Sequence, residues 1–467
     1  MKIAFITPRT KERRAEFQYL PLGIAYIASV LLNEDHEVKI FDSRIENYSE
    51  EEFKEKLHDF NPTLIGATST TYQIFESVKM LKEAKEACPN AFSFIGGAHV
   101  SALPAQTLST FSWIDFGVVG EGEITTKELA SALSEKKPSF GSIKGLAFRK
   151  NKNIFLNEKR ELINDLDSIP FPARNLFNLK KYDNAGLEVK KKPMTSIISS
   201  RGCPGQCIFC SKAVFGASFR ARSPENIILE LEELIEGKYH YKEIHVMDDN
   251  FTLNIDRAEK ICNKIIEKDW NVKFALPNGI RVDRVSKELL EKMYDAGFYC
   301  LFFGVESGDD KVLKKIGKNI SLKQVKNAIK MAKKIGFYTG IFLVAGLPGS
   351  SLKSEEKSLK LALDLDVDQA SLSVITPYPG SRLYNLLSAQ GLIKEDWNTY
   401  RHDFSSQQLL YDSALSKEEI QKFFNDFVKK FYLRPSYPFK LIYRHKYFGC
   451  KKLYVMLRSL LNRKYSL

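Results

Sequence analysis

No apolar run in this sequence of 467 residues is long enough to cross a bilayer, because the longest nearly apolar stretch, YLPLGIAYIASVLL, falls short of the roughly 20 residues a span needs. The opening MKIAFITPRT has only a short apolar run and is soon followed by KERR, so it reads as a first strand and not as a secretory leader. A disulfide framework is also missing. Cys88, Cys262, Cys300 and Cys450 are scattered singly through apolar or helical contexts, as inert buried thiols are. Acidic residues stop at Asp426, after which eleven lysines and arginines follow. The formal charge of +13 therefore belongs largely to a tail. With 44% apolar and 27% charged residues, the expectation is a cytoplasmic, non-integral protein of two domains and a small third.

Residues 1 to 135 alternate short apolar runs (KIAFITP, EVKIFD, TLIGATS, FSFIGGAHV, DFGVVGEGE) with segments of helical period. The pattern predicts an α/β fold with a doubly wound, Rossmann-like parallel sheet whose ligand sits at the carboxyl ends of the strands. Residues 136 to 193 read as a connector, with a small hairpin in GLAFRKNKNIFLNEK and a proline-stiffened linker in DLDSIPFPARNLF. From 194 to 400 the alternation restarts in longer units. Six strands, MTSIISSRG, EIHVMDDN, KFALPNGIRVD, YCLFFGVESG, GIFLVAGLPG and ASLSVITPYPG, are each followed by a helical segment, which predicts a partial (β/α)6 barrel of the TIM type. Residues 401 to 467 read as a basic helical segment interleaved with aromatics.

The remaining three cysteines, Cys203, Cys207 and Cys210, lie together in SSRGCPGQCIFCSK, with no fourth nearby. A structural zinc site takes four protein ligands, commonly from two cysteine pairs, and here there is no second pair. An iron-sulfur cluster on three thiolates would leave one iron free for a substrate to coordinate. Glycine and proline beside the cysteines argue for a shaped loop. The motif C-x3-C-x-aromatic-C, with Phe209 in the aromatic place at the end of a barrel's first strand, resembles that of the radical S-adenosylmethionine superfamily. The resemblance implies a 4Fe-4S cluster on the three cysteines, with S-adenosylmethionine chelated by the open iron and cleaved to a 5'-deoxyadenosyl radical.

Later strand ends supply further candidates for cofactor binding. Asp248, Asp249 and Asn250 offer acceptors for an ammonium, although helix capping would also account for them. Arg281 offers a cation for a carboxylate, with an ion pair to Asp283 as the alternative. Glu306 and Ser307 resemble the superfamily's segment that contacts ribose or methionine, and a carboxylate at an apolar strand end needs a partner. Gly346 and Gly349 supply bare backbone that can approach an adenine. Relatives often carry Gly-Glu-Thr where this chain has Gly349, Ser350 and Ser351. The last strand's PYPGS, Pro377 to Ser381, matches relatives as well.

A doubly wound domain ahead of such a barrel resembles the cobalamin-binding domain of one large subgroup. The candidates there are Thr68 and Ser69 after the third strand, Gly96, Gly97 and His99 after the fourth, and Gly120 and Gly122 in VVGEGE. Domains that ligate cobalt through histidine carry Asp-x-His-x-x-Gly, whereas residues 42 to 47 here are DSRIEN. The resemblance is then to the subgroup without a protein imidazole on cobalt, a ligation that favours methyl transfer. An ordinary phosphate-binding Rossmann domain, or one that has lost its cofactor, is the bland alternative.

Together these features imply an anaerobic, cobalamin-dependent radical enzyme, foremost a C-methyltransferase acting on a small molecule, a lipid or tetrapyrrole among the candidates. Ferredoxin or flavodoxin would be its low-potential electron donor. A ring-forming oxidase resembling the anaerobic magnesium-protoporphyrin ester cyclase is the nearest alternative. A methylthiotransferase would need a second three-cysteine set in the first domain, where only Cys88 stands. No catalytic acid or base stands out, and no nucleic-acid partner is expected. The basic tail is a candidate for peripheral membrane contact.

Overall fold

The structure is a computed structural model that describes residues 1–9, 19–182, 189–393, 396–400 and 414–461. Part of the basic tail, 401–413 and 462–467, lies outside the described residues. Five parallel strands form the first sheet: β1 (Lys2–Thr7), β2 (Glu37–Asp42), β3 (Leu64–Thr68), β4 (Phe92–Gly96) and β5 (Phe116–Val118). Their order is β2-β1-β3-β4-β5, so the chain reverses direction across the sheet between β1 and β3. The strands are short apolar runs and largely buried, as expected of a sheet covered on both faces.

The hairpin expected in the connector extends this sheet. β6 (Leu146–Lys150) pairs antiparallel with β5, and β7 (Asn153–Leu156) with β6. The linker after it is packed down and not loose: Ala173 N donates to Ala25 O at 3.0 Å, and buried Arg174 pairs with Glu230 at 2.7 Å.

The second sheet is parallel and ordered β15-β14-β13-β12-β11-β8. Its strands are β8 (Met194–Ile197), β11 (Glu243–Val246), β12 (Lys273–Ile280), β13 (Phe298–Glu306), β14 (Tyr338–Ala345) and β15 (Gln369–Val374). A two-stranded ribbon, β9 (Ser200–Arg201) and β10 (Arg220–Ala221), flanks the cysteine segment. The predicted (β/α)6 alternation is present. Each strand is followed by a helix whose first turn is capped by a side chain, from Ser223, Asn254, Ser286, Ser321, Ser351 and Ser381. Each such cap satisfies an otherwise orphaned amide and stabilises by about 1 kcal/mol. After β11, β12, β14 and β15 the cap lies no more than eight residues past the strand end, which keeps those loops short, whereas the cysteine segment separates β8 from Ser223 and the helix Asp310–Lys315 separates β13 from Ser321.

Two helices close the chain's described part. Lys417–Tyr432 buries Ile420, Phe423, Phe424, Phe427 and Phe431 in the barrel's core, and Ser436–Leu461 follows with a break at Lys446. Among the described residues no helix is long and apolar enough to cross a membrane.

Candidate active site

The three cysteines lie in a loop between β9 and β10, and its shape is dictated by neighbours that follow three barrel strands, β11, β13 and β15. Asp248, after β11, is buried and takes four donors: Ser199 N (2.6 Å), Ser200 N (3.0 Å), Ser199 Oγ (2.5 Å) and Ser200 Oγ (2.6 Å). Asp249 accepts from Gly202 N at 2.9 Å. In mid-loop, Ile208 N donates to Ile316 O (3.0 Å) and Leu383 N to Ile208 O (2.7 Å). At the far end Ser211 Oγ donates to Pro379 O at 3.0 Å. The MDDN and PYPGS segments thus anchor the two ends of the cysteine loop. For Asp248 this corrects the expected ammonium contact, since saturated carboxylate oxygens have nothing left to offer a ligand. Asn250 offers a donor and not an acceptor: it is buried, and its amide nitrogen has no partner among the described residues.

Behind the sulfurs stands a buried ion pair that sequence reading found only by half. Glu306 ends β13 in a left-handed conformation, φ 69°, and accepts from Lys318 Nζ at 2.8 Å. Lys318, absent from the sequence-derived candidates, is 7% exposed. Burial opposes its charge, but Glu306 and Cys207 hold its pKa above the usual lysine value. The sole sequence signal for it was a lysine in IGKNI, two residues after an apolar helix end. Arg281 makes the predicted alternative pair, with Nε to Asp283 Oδ1 at 2.9 Å and a second nitrogen to Oδ2 at 3.0 Å. It also borders the loop: a Cβ on Gly205 would lie 3.6 Å from its guanidinium and 3.3 Å from Cys203 Sγ. The Cys210 thiol, hydrogen-bonded to Cys207, draws the Cys207 pKa down to about 6, with Lys318 and Arg281 assisting.

A cavity of about 270 Å3 opens beside this loop, lined by Gly205, Gln206, Arg281, Arg284, Lys318 and Asn319. Its cationic wall suits a carboxylate. Cys203, Cys207 and Cys210 beside Lys318 and Arg281 form a donor set that fits a 4Fe-4S cluster, in which each thiolate meets a different iron.

Ser307 and the two later glycines play supporting parts. Ser307 Oγ accepts from Asp309 N at 3.2 Å and closes the turn after β13. Gly346 N donates to buried Glu355 Oε1 at 3.0 Å. Burial pushes the Glu355 carboxyl up to about 7, with Gly346 N and Ser350 opposing the shift. Gly349 has φ 85° and packs on the Lys315 stem.

In the first domain, Gly97 has φ 95°, and a Cβ there would come 2.7 Å from Ser69 O and 2.8 Å from Thr68 Oγ1. Only glycine permits that close crossing of β3 and β4 ends, and it leaves a rim of bare backbone and hydroxyls. A Cβ on Gly96 would meet nothing nearer than 3.6 Å. This rim fits a ligand tail lying on main chain. His99 is a correction. Its ring is fully buried, Nδ1 lies 3.2 Å from Thr71 Oγ1, Nε2 has no partner among the described residues, and Trp397 stands edge-on at 4.5 Å. Burial lowers its pKa to about 4, so the imidazole is neutral and faces the core beneath Trp397. Gly122 is also spoken for, since a Cβ there would lie 2.7 Å from Ile27 Cδ1. In DSRIEN, Arg44 pairs with Asp42, which also accepts from Thr7 and Tyr182.

The two candidate regions meet. Gly120, φ 82°, faces Val214 O, just past the cysteines, and a Cβ on Gly380 would touch Ser211, Ala213 and Ala102. Glu121 and Glu123 in VVGEGE are buried at this seam. Arg201, two residues before Cys203, donates to Glu121 Oε1 at 2.8 Å and Glu123 Oε1 at 2.6 Å. Arg220 donates to both Glu121 oxygens at 2.9 and 2.8 Å. Four charges, each side chain no more than 6% exposed, fix the cysteine loop to the first domain.

Comparison with known proteins agrees with this arrangement. The Radical SAM superfamily matches residues 197–362 and the B12 binding domain residues 13–130. An uncharacterized methyltransferase of Pyrococcus horikoshii is 34% identical over 97% of each chain. The chain belongs to the cobalamin-binding radical S-adenosylmethionine family. Its cofactors are accordingly a 4Fe-4S cluster, S-adenosylmethionine and cobalamin. Further family members include the cytidylyl-2-hydroxyethylphosphonate methyltransferase of Streptomyces wedmorensis, 28% identical over 87% of this chain and 86% of that one. The anaerobic magnesium-protoporphyrin IX monomethyl ester cyclase of Cereibacter sphaeroides is 26% identical over 97% and 75%. Among solved structures, the cobalamin-dependent radical enzyme OxsB shares the family's fold at TM-score 0.74, with 19% identity over 99% of this chain and 71% of that one. The methyltransferase TsrM from Kitasatospora setae does so at TM-score 0.71, with 18% identity over 83% and 78%.

Proposed function

We propose that this protein is a cobalamin-dependent radical S-adenosylmethionine methyltransferase that places a methyl group on an unactivated carbon of a small molecule. The observation that carries this reading is the seam itself: a loop of three thiols, beside a cationic cavity, is clamped by buried charges against the glycine rim of a B12-binding domain. Cys203, Cys207 and Cys210 would hold the cluster. Thr68, Ser69, Gly96, Gly97 and Gly120 would line the cobalamin site.

When bound, the cluster supplies the electron that splits S-adenosylmethionine, and cobalamin supplies the methyl group. The chain's own residues do the rest. Lys318 and Arg281 set positive charge beside the cavity, which orients a carboxylate group. Glu306 keeps Lys318 in place, and Asn250 offers an unpaired amide donor at the next strand end. Gly346 and Gly349 let an adenine approach main chain. The Arg201–Glu121–Glu123–Arg220 clamp fixes the distance between the two cofactor regions and excludes water from the seam. Electrons arrive from a low-potential donor of the ferredoxin or flavodoxin kind.

The test is an oxygen-free incubation of reconstituted, cobalamin-loaded protein with cell extract and methyl-labelled S-adenosylmethionine. Label is expected in a small-molecule product, alongside 5'-deoxyadenosine. Deoxyadenosine without label in any product would reject methyl transfer and favour oxidative ring formation of the cyclase type.

A further inference from the structure

The helix Ser436–Leu461 breaks the amphipathic rule on its outer face. Tyr437, Leu441 and Phe448 are buried against the barrel, and the Tyr437 hydroxyl donates to Asp368 O at 2.7 Å. The face opposite should then be polar. It carries Phe439 at 75% exposure, Ile442 at 38% and Tyr443 at 89%, spaced i, i+3, i+4 on one side. Leu433, just before the helix, is exposed as well. Large apolar side chains grouped on a surface mark a contact.

Beside them one carboxylate gathers four cations. Asp366 lies 3.8 Å from Lys333, 3.1 Å from Arg434 and 3.3 Å from Lys440, and it is also bonded by Arg444. Asp368 shares Arg444 at 3.3 Å and faces His445 at 3.0 Å. Even with both carboxylates ionised, the cluster keeps a surplus of two positive charges. Lys429, Lys430 and Lys446 are exposed nearby in the chain, and no acidic residue follows Asp426. Burial, and then the charge of Arg444, hold the Lys333 ammonium below the usual lysine range, a strain that an added anion relieves.

We propose that this face docks on an anionic membrane surface, with Phe439, Ile442 and Tyr443 entering the headgroup layer and the cations around Asp366 taking lipid phosphates. A second copy of the chain is a poor occupant, because a symmetric pairing would set the same positive surplus against itself. Asp366 and Asp368 immediately precede β15, so the face lies at the amino ends of the barrel strands, opposite the cysteine loop. Docking therefore leaves the candidate active site on the side away from the membrane, and the proposal holds whatever reaction that site performs.

The experiment is co-sedimentation of the full chain with vesicles of pure phosphatidylcholine and of phosphatidylcholine containing about 30% phosphatidylserine, at low and high salt. Binding is expected only to the anionic vesicles, weakening as salt rises. The double variant Phe439→Ser with Tyr443→Ser should lower vesicle partitioning by ~10-fold or more. Lys440→Glu should lower it less. Both variants alter exposed side chains, so an unchanged thermal melt separates lost docking from lost fold. The proposal falls if the parent chain ignores anionic vesicles or if the double variant binds them as well as the parent. It falls too if the parent is a dimer that the double variant converts to monomer without any vesicle binding.

Discussion

The two strand-end rims of this molecule are built on opposite principles. The barrel's rim keeps an open, cationic cavity, and its loop is held by main-chain bonds and carboxylates from β11, β13 and β15. The first domain's rim is glycine and hydroxyl, and beyond it His99 is roofed by aromatics from far along the chain. Trp397 packs on His99, Phe75 and Phe111, and Tyr400 on Tyr378. A polar rim with volume needs charged groups restrained by partners, since unpaired buried charge is costly. A bare-backbone rim needs little restraint beyond packing. The clamp of Arg201 and Arg220 on Glu121 and Glu123 is where the two designs are fastened together.

The sharpest way to break this contrast is at the sulfurs. Cys207→Ala should abolish both the visible absorbance of the reconstituted cluster and 5'-deoxyadenosine formation, while cobalamin retention through gel filtration stays unchanged. Retention of either cluster signal would remove Cys207 from the ligand set. At the seam, Arg201→Met leaves Glu121 on Arg220 alone and takes from Glu123 the cation it pairs with. The expected destabilisation is about 3–5 kcal/mol in denaturant titration, and Glu123→Gln should cost less. A loss below about 1 kcal/mol would mean the clamp contributes no more than a surface pair does.

On the first domain's side, Trp397→Ala should cost about 3 kcal/mol through the cavity it leaves. It should also raise the His99 pKa from about 4 toward the ordinary 6.5, read by NMR titration. In the parent, the unfolded chain protonates this imidazole before the folded one does, so its contribution to stability is present above pH 6.5 and is lost as pH falls toward 4. An unmoved His99 titration in Trp397→Ala would show that the roof does not shield it.

The smallest effect is expected behind the loop that follows β14. Folded Glu355 holds its proton to about pH 7, whereas the unfolded carboxyl releases it near 4.5, so its neutral form favours folding and that advantage is lost as pH rises from 4.5 to 7. Glu355→Gln keeps an acceptor for Gly346 N and removes the buried charge. It should stabilise by about 1–3 kcal/mol at pH 8 and by almost nothing near pH 4.5. Equal gains at both pH values would point to packing and not ionisation.

Much of the site was legible locally. Cys203, Cys207, Cys210 and Arg281 were singled out from spacing and strand-end position, and the structure sets Arg281 beside the cysteine loop. Lys318 was missed because its partner lies twelve residues away on another element. Asp248 was misjudged because four serine donors reach it from a strand end 48 and 49 residues earlier. Glu121 and Glu123 sit in a segment noticed only for its glycines, while their partner Arg201 lies 80 and 78 residues on.

Sequence alone determined the parallel βα alternation and the three-thiol loop, because strand period, helix capping and cysteine spacing act within a few residues. Tertiary structure alone decided which charges are paired, which histidine is roofed over, and that the tail's outer face is apolar. Those outcomes depend on which distant surfaces exclude water from one another, and no local pattern encodes that.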